Sequence, residues 1–274
     1  HLSRKTAPLY TDAPNYYETA QIIINCTPIG MYPHNPASLI DIMQFSKLEG
    51  VVDLIYNPRR TVLLLQAEMM GIPHCDGLPF LVAQGVEAAN HFQGESFGTK
   101  EIEQILRDMR REKENIILIG MPGVGKTTVG KAIGKKMGRT CIDVDQELAK
   151  EIGDISKYIT EQGEVAFREK EAEMIAKLGM QTGIVISTGG GCVTVPKNFA
   201  HLRQNGRIYQ LTQPVEKLST SGRVLSGGGI ERLRELEETR TPMYESFAQC
   251  IVEHNRNAPE TVAAILEDFE ANLL

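Results

Sequence analysis

At 274 residues the chain has room for one large domain or two smaller ones, and 42% hydrophobic with 23% charged residues is the composition of a globular protein. A formal net charge of -6 leaves no basic surplus for nucleic acid or an anionic membrane surface, and no apolar run approaches the roughly 18 residues that span a bilayer. The start carries no signal-peptide pattern. Cys26, Cys75, Cys141, Cys192 and Cys250 are odd in number and never spaced C-x-x-C, which argues against a disulfide framework or zinc site and suits a reducing cytoplasm. Because the chain begins at His1 and not Met, a fragment or a processed piece is expected.

Residues 21–26, Gln-Ile-Ile-Ile-Asn-Cys, read as a strand, with residues 27–31 as the turn after it. A second strand covers residues 50–55. The helix that follows has Val62, Leu65, Ala67 and Met69 among its apolar positions and stops near Gly71. Residues 72–75 suit a short strand, Asp76-Gly77 a turn and residues 81–92 a helix. Strands alternating with helices predict parallel βα units.

Three segments here, Asn25-Cys-Thr-Pro-Ile-Gly-Met31, Asp53-Leu-Ile-Tyr-Asn-Pro58 and Asp76-Gly-Leu-Pro-Phe-Leu-Val-Ala-Gln84, resemble the C-terminal half of shikimate dehydrogenase over residues 1–95. The resemblance implies that Arg4, in Ser3-Arg4-Lys5, holds the 2′-phosphate of NADP. It also implies that Tyr56 and Gln84 line a shikimate pocket and that Gly77 lies beside the nicotinamide. On the residues alone, Tyr56 is equally a packed aromatic and Gln84 a helix-surface residue. The G-x-G loop that should precede Arg4 is absent, as is the N-terminal domain with the family's catalytic Lys–Asp pair, so hydride transfer is not expected of this chain by itself. A missing N-terminal dehydrogenase segment would be the natural partner. An incomplete sheet of this type is expected to expose an edge strand and apolar surface, favouring aggregation or partner binding.

Residues 96–112 read as a helical linker: Ile102, Ile105, Leu106 and Met109 share one face, while Arg107, Arg110 and Arg111, interleaved with Asp108 and Glu112, make a solvated face.

From residue 113 a second α/β domain is expected. Residues 116–119 form a short apolar run suited to a buried strand, and Gly120, Gly125, Lys126 and Thr127 then fill G-x-x-x-x-G-K-[ST]. Val129, Ala132, Ile133 and Met137 recur at helical spacing before Gly138. A phosphate-binding loop lies in this strand-to-helix context. Glycines let successive N–H groups point at phosphate oxygens, the helix N-terminus adds positive potential, Lys126 reaches the β- and γ-phosphates, and the Thr127 hydroxyl ligates Mg²⁺. Residues 141–145 read as a strand whose Asp143 and Asp145, two apart, face one site fit for Mg²⁺ and a substrate hydroxyl; a surface pair at a strand end is the plain alternative. Arg168, after Gly163-Glu-Val-Ala-Phe, is expected to open a charged helix and to pair with Glu164. Residues 184–187 form a strand running into Gly189, Gly190 and Gly191, where backbone can approach a ligand or another strand. Strands at residues 206–211 and 249–253 and a terminal helix with Val262, Ile265, Leu266 and Phe269 inward complete the unit.

This order of features resembles shikimate kinase over residues 113–274. By that resemblance Gly120, Met121, Pro122, Gly123, Val124, Gly125, Lys126, Thr127 and Thr128 cradle ATP, and Thr127 with Asp143 holds Mg²⁺. Asp145 binds the shikimate hydroxyls and takes the proton from the attacking 3-hydroxyl. Arg168 and Arg240, the latter in Thr239-Arg-Thr-Pro-Met-Tyr244, grip the shikimate carboxylate, with Gly189, Gly190 and Gly191 as the pocket wall. Arg223, in Gly222-Arg-Val-Leu-Ser226, is the lid arginine that reaches the transferring phosphate, and Arg256 packs against adenine. Val224 departs from the family's usual proline, which loosens the lid.

The expected fold is therefore an α/β P-loop NTPase domain of the nucleoside-monophosphate-kinase type, a parallel sheet, preceded by a partial Rossmann-type α/β unit. The expected activity is phosphorylation of shikimate by ATP, in a kinase part that is monomeric and cytoplasmic. Another P-loop small-molecule kinase, such as a gluconate kinase, and a non-catalytic nucleotide-binding module are the rivals.

Overall fold

The computed structural model describes residues 10–274 apart from 34, 36, 39, 95, 220–228, 255 and 256. The chain forms two compact units, residues 1–106 and 107–274.

In the first unit, β1 (Ile22–Asn25), β2 (Gly50–Asp53) and β3 (His74–Cys75) form a parallel sheet in that order, with Ile22 opposite Gly50 and Val51 opposite His74. Helix α1 (Val62–Met69) is capped by the Thr61 hydroxyl, which accepts from the Leu64 N–H at 3.4 Å. Leu63, Leu64 and Ala67 of α1 pack on Val51 of β2, with Ile42 and Phe45. Helix α2 covers Leu78–Gln93. Among the described residues β1 is a sheet edge, and its Ile22 and Ile24 are more than half exposed. An exposed strand edge of this kind offers unpaired N–H and C=O groups. Helix α3 (Thr99–Lys113) follows, with Leu106 buried.

The second unit is built on five parallel strands: β4 (Asn115–Gly120), β5 (Cys141–Asp143), β6 (Val185–Ser187), β7 (Gly206–Thr212) and β8 (Cys250–Glu253), ordered β5-β6-β4-β7-β8. β4 lies at the centre and is buried along its whole length, as a continuous apolar run in a doubly covered parallel sheet requires. The helices are α4 (Lys126–Met137), α5 (Val144–Ile152), α6 (Ile155–Gly179), α7 (Lys197–Arg203), α8 (Gly229–Phe247) and α9 (Ala258–Ala271). Ile133 of α4, Leu148 of α5, Ile175 of α6 and Ile265 of α9 are completely buried against the strands. None of the described helices is long and apolar enough to cross a membrane.

Two local expectations are corrected. The strand read through residue 145 stops at Asp143, because the Asp143 carboxylate accepts from the Gln146 N–H at 3.2 Å and caps α5. Asp145 therefore sits in the first turn of a helix. Arg168 does not open its helix: α6 begins at Ile155, capped by Asp154, and runs through a break at Gly163 with φ 87° and ψ 161°. A charged stretch without a strong apolar stripe hid the first two turns.

Candidate active site

β4 is the central strand, flanked by β6 and β7: the chain leaves it toward β5 on one side, whereas β7 leads to β8 on the other, so the connections diverge at the carboxyl ends of β4 and β7 and open a crevice there. That crevice is where ligands of open α/β sheets bind. Residues 121–125 lead from β4 into α4, and Gly120, Gly123 and Gly125 have φ of 137°, 85° and 98°. A side chain at Gly120 would run into the Leu211 carbonyl of β7, and one at Gly123 into the Ser219 backbone, so both positions demand glycine twice over. Gly125 caps α4 without a side-chain hydrogen bond, which leaves the first helical N–H groups to the loop. Lys126 is 5% exposed and its Nζ donates to the Gly120 and Met121 carbonyls at 2.7 and 3.0 Å. Within the loop Met121, Pro122 and Val124 are buried, and Thr128 is exposed on the first turn of α4.

The Thr127 hydroxyl donates to Asp143 Oδ2 at 2.6 Å, and Ser187 Oγ at the end of β6 donates to the same oxygen at 3.3 Å. One carboxylate and one hydroxyl beside a phosphate loop fit Mg²⁺, which keeps waters and substrate phosphates in its shell and needs no all-protein cage. Among the described residues no group of three or more His, Cys, Asp or Glu could hold a metal ion.

Across from this pair lies the triple glycine. Each glycine lacks the side chain that would collide with a different part of the site: Gly189 faces the Asp145 and Glu171 carboxylates, Gly190 the Pro122 ring, and Gly191 the Arg168 guanidinium. Arg168 Nη1 donates to Glu171 Oε2 at 2.6 Å and Nη2 to Glu164 Oε1 at 3.1 Å, so the expected pairing with Glu164 is present. Burial opposes the Arg168 charge, but Glu171 and Glu164 outweigh it and raise its pKa. Glu171 is 0% exposed, and its Oε1 has no hydrogen-bond partner among the described residues. Burial pushes its carboxyl above the usual range, with Arg168 pulling the other way. From α8, Arg240 Nη1 donates to the Gly190 carbonyl at 3.2 Å, and the Tyr244 hydroxyl donates to the same oxygen.

The fold thus brings Asp145, Arg168, Arg240 and the three glycines together beside Pro122. Arg223, Val224, Asn255, Arg256 and Arg4 lie outside the described residues. In the first unit, Gly77 N–H donates to the Ile55 carbonyl at 2.9 Å, which joins its loop to the one carrying Tyr56; Tyr56 and Gln84 are exposed. A cavity of about 450 Å³ in that unit is lined by Asn25, Cys26, Thr27, Ile40 and Phe45 among others, not by Tyr56, Gly77 or Gln84.

Sequence reasoning missed three residues. Glu171 looks like a surface i,i+3 partner of Arg168 and only its burial distinguishes it. Tyr244 follows Pro242-Met243 on α8, and nothing in the local sequence distinguishes it from a packed aromatic. His254, 6% exposed, bonds Thr261 Oγ1 through Nδ1 at 2.8 Å and presents Nε2 to Gly125, where a side chain would come within 3.0 Å. No local pattern marks it.

Comparison with known proteins agrees with this geometry. The shikimate kinase family model matches residues 122–270. A shikimate kinase of Nitrosomonas europaea is 39% identical over 152 residues, covering 53% of this chain and 72% of that protein. One from Thiobacillus denitrificans is 36% identical over 163 residues, covering 57% and 89%. Among solved structures, shikimate kinase from Acinetobacter baumannii in complex with shikimate superposes with a TM-score of 0.54 at 29% identity, covering 61% of this chain and 98% of that one. With a P-loop at the switch point of a five-stranded parallel sheet and a family match over more than half its length, the chain belongs to the shikimate kinase family.

Proposed function

We propose that the second unit transfers the γ-phosphate of ATP to the 3-hydroxyl of shikimate, giving 3-phosphoshikimate and ADP. The observation that carries this reading is the gathering of Asp145, Arg168 and Arg240 around Gly189, Gly190 and Gly191, with Gly190 against Pro122 of the phosphate loop. Two guanidinium forks suit a planar carboxylate, and a carboxylate beside Gly189 suits a hydroxyl. In the transfer, the 3-hydroxyl oxygen bonds to phosphorus as the bridging oxygen of ADP leaves, and the hydroxyl proton passes to the Asp145 carboxylate.

Lys126 sits over the loop and neutralises charge developing on the γ-phosphate, and Arg223 from the lid adds a second cation. Thr127 and Asp143 would hold Mg²⁺, which when bound offsets phosphate charge. Thr128 and the backbone N–H groups of Gly123, Gly125, Lys126 and Thr127 hold the α- and β-phosphates, and Arg256 packs on adenine. Closure of the lid excludes water as a competing acceptor.

By sequence, residues 1–95 read as a partial NADP-binding dehydrogenase domain, residues 96–112 as a helical linker and residues 113–274 as the kinase domain. The support for the dehydrogenase unit is the order of three motifs and a parallel sheet with an open edge. NADPH titrated against the full chain, read by its fluorescence, tests that unit: saturable binding lost in Arg4→Ala upholds it, and no binding at millimolar NADPH removes NADP from the reading.

The kinase is tested by ADP release from Mg-ATP with and without shikimate, in the wild type and in Asp145→Asn. Shikimate-dependent release that falls at least 100-fold in the variant is expected. ATP binding with no stimulation by shikimate would sink the reading, and stimulation by gluconate instead would redirect it to a different acceptor.

A further inference from the structure

We infer that Tyr244 is a positioning residue for this reaction: its hydroxyl fixes the Gly190 peptide and so sets the acceptor pocket at a defined distance from the phosphate loop. The inference rests on the kinase reading of the pocket and names a residue outside that reading's binding and catalytic groups.

Tyr244 is 1% exposed and among the largest fully buried side chains. Phenylalanine would fill the same space without the cost of burying a hydroxyl, and here that cost is offset by a hydrogen bond. Its hydrogen goes to the Gly190 carbonyl, and Arg240 Nη1 reaches the same oxygen at 3.2 Å. Burial raises the phenol pKa, which keeps that hydrogen in place at any physiological pH.

The target of these two donors is an unusual junction. A side chain on Gly190 would lie 2.8 Å from Cδ of Pro122, so the glycine backbone packs directly on the phosphate-loop ring. Its neighbours face the acceptor groups: Gly189 meets Asp145 and Glu171, and Gly191 meets Arg168. Because the peptide unit is planar, holding the Gly190 carbonyl also fixes the direction of the Gly191 N–H. Glycine has the widest conformational freedom of any residue, and three in succession would otherwise let this wall swing. Tyr244 from α8 and Pro122 from the loop after β4 clamp it from two sides.

The experiment is Tyr244→Phe in the full chain, with Tyr209→Phe as the control, since Tyr209 is equally buried on β7 and bonds nothing in the triple glycine. Steady-state kinetics of Tyr244→Phe should show kcat/KM for shikimate reduced about 3- to 10-fold, the loss of a net hydrogen bond of about 1 kcal/mol, with KM for Mg-ATP changed less than about twofold. Amide hydrogen exchange over residues 188–192 should quicken several-fold in the same variant. Tyr209→Phe should change neither reading. Unchanged kcat/KM for shikimate together with unchanged exchange overturns the inference. A parallel rise of both substrates' KM in both variants also overturns it, because that is general loosening. If the wild type shows no shikimate-dependent turnover, the kinase reading fails by itself, and exchange at residues 188–192 still decides whether Tyr244 holds the glycine wall.

Discussion

Glu171 offers the sharpest test of how the acceptor side of the site is built. Replacing it by leucine keeps the volume and removes the carboxylate that takes the Arg168 Nη1 hydrogen bond at 2.6 Å. Removing one member of a buried ion pair costs about 3–5 kcal/mol, because the other charge stays buried without its partner. Arg168 retains Glu164, but that side chain is 52% exposed and its attraction is screened by water. The lower end, about 3 kcal/mol, is therefore expected for Glu171→Leu. For a unit the size of residues 107–274, each kcal/mol moves Tm by about 2–4 °C, so a fall of about 6–12 °C follows. Calorimetry of the full chain reads this, the relevant transition being the one that moves up on adding Mg-ATP.

Two companions sharpen the outcome. Arg168→Met combined with Glu171→Leu replaces the pair by apolar groups and should melt above Glu171→Leu alone, since an isosteric apolar pair is often as stable as the ions. Arg168→Met alone leaves Glu171 buried without its counter-ion. Burial already pushes that carboxyl up, and the folded state then binds a proton more readily than the unfolded chain, so the variant should gain stability as pH falls. A Glu171→Leu protein melting within about 1 °C of the wild type, or a double variant equal to the sum of the singles, refutes the reasoning.

Gly120→Ala forces a side chain at φ 137° into the Leu211 carbonyl; a loss of at least about 2 kcal/mol is expected, read as a drop in the urea midpoint, and an unchanged midpoint would contradict the close approach of β4 and β7. His254 has its pKa lowered by burial from 6.5, so the unfolded chain binds its proton first. Its contribution to stability is complete above pH 6.5 and declines as pH falls toward the depressed folded value. His254→Asn, whose amide can stand in for the Nδ1–H bonded to Thr261, should flatten the fall in stability below pH 6.5, and an identical slope in variant and wild type would assign the acid sensitivity elsewhere.

Much of this protein is legible without a structure, and the reason is locality. The phosphate loop is contiguous, its glycines and lysine are dictated by backbone geometry within a few residues, and β4 and α4 announce themselves by period on either side. Strands β1, β2, β6, β7 and β8 were readable for the same reason, as short apolar runs bounded by turns. Local reasoning failed where two structures compete for one residue. Asp143 and Asp145 satisfy the two-residue period of a strand, yet the Asp143 carboxylate has an N–H of the next helix within reach, and capping won. Asp145 arrives beside Gly189 all the same, by way of a helical turn.

What tertiary structure alone decided is which polar groups are buried and which backbone groups meet across the sheet. A charged helix reads as solvated, so nothing in α6 marks Glu171 as its fully buried carboxylate. The convergence of Arg240 and Tyr244 on Gly190 joins residues 50 and 54 positions apart in the chain. Pro122 and Glu171 reach the triple glycine from two further elements. Composition and spacing determined that a nucleotide loop, two arginines and a glycine run were present. Packing of α8 and α6 against residues 192–194, just after the glycine run, decided that they come together, because only burial makes a carbonyl, a guanidinium and a carboxylate depend on each other.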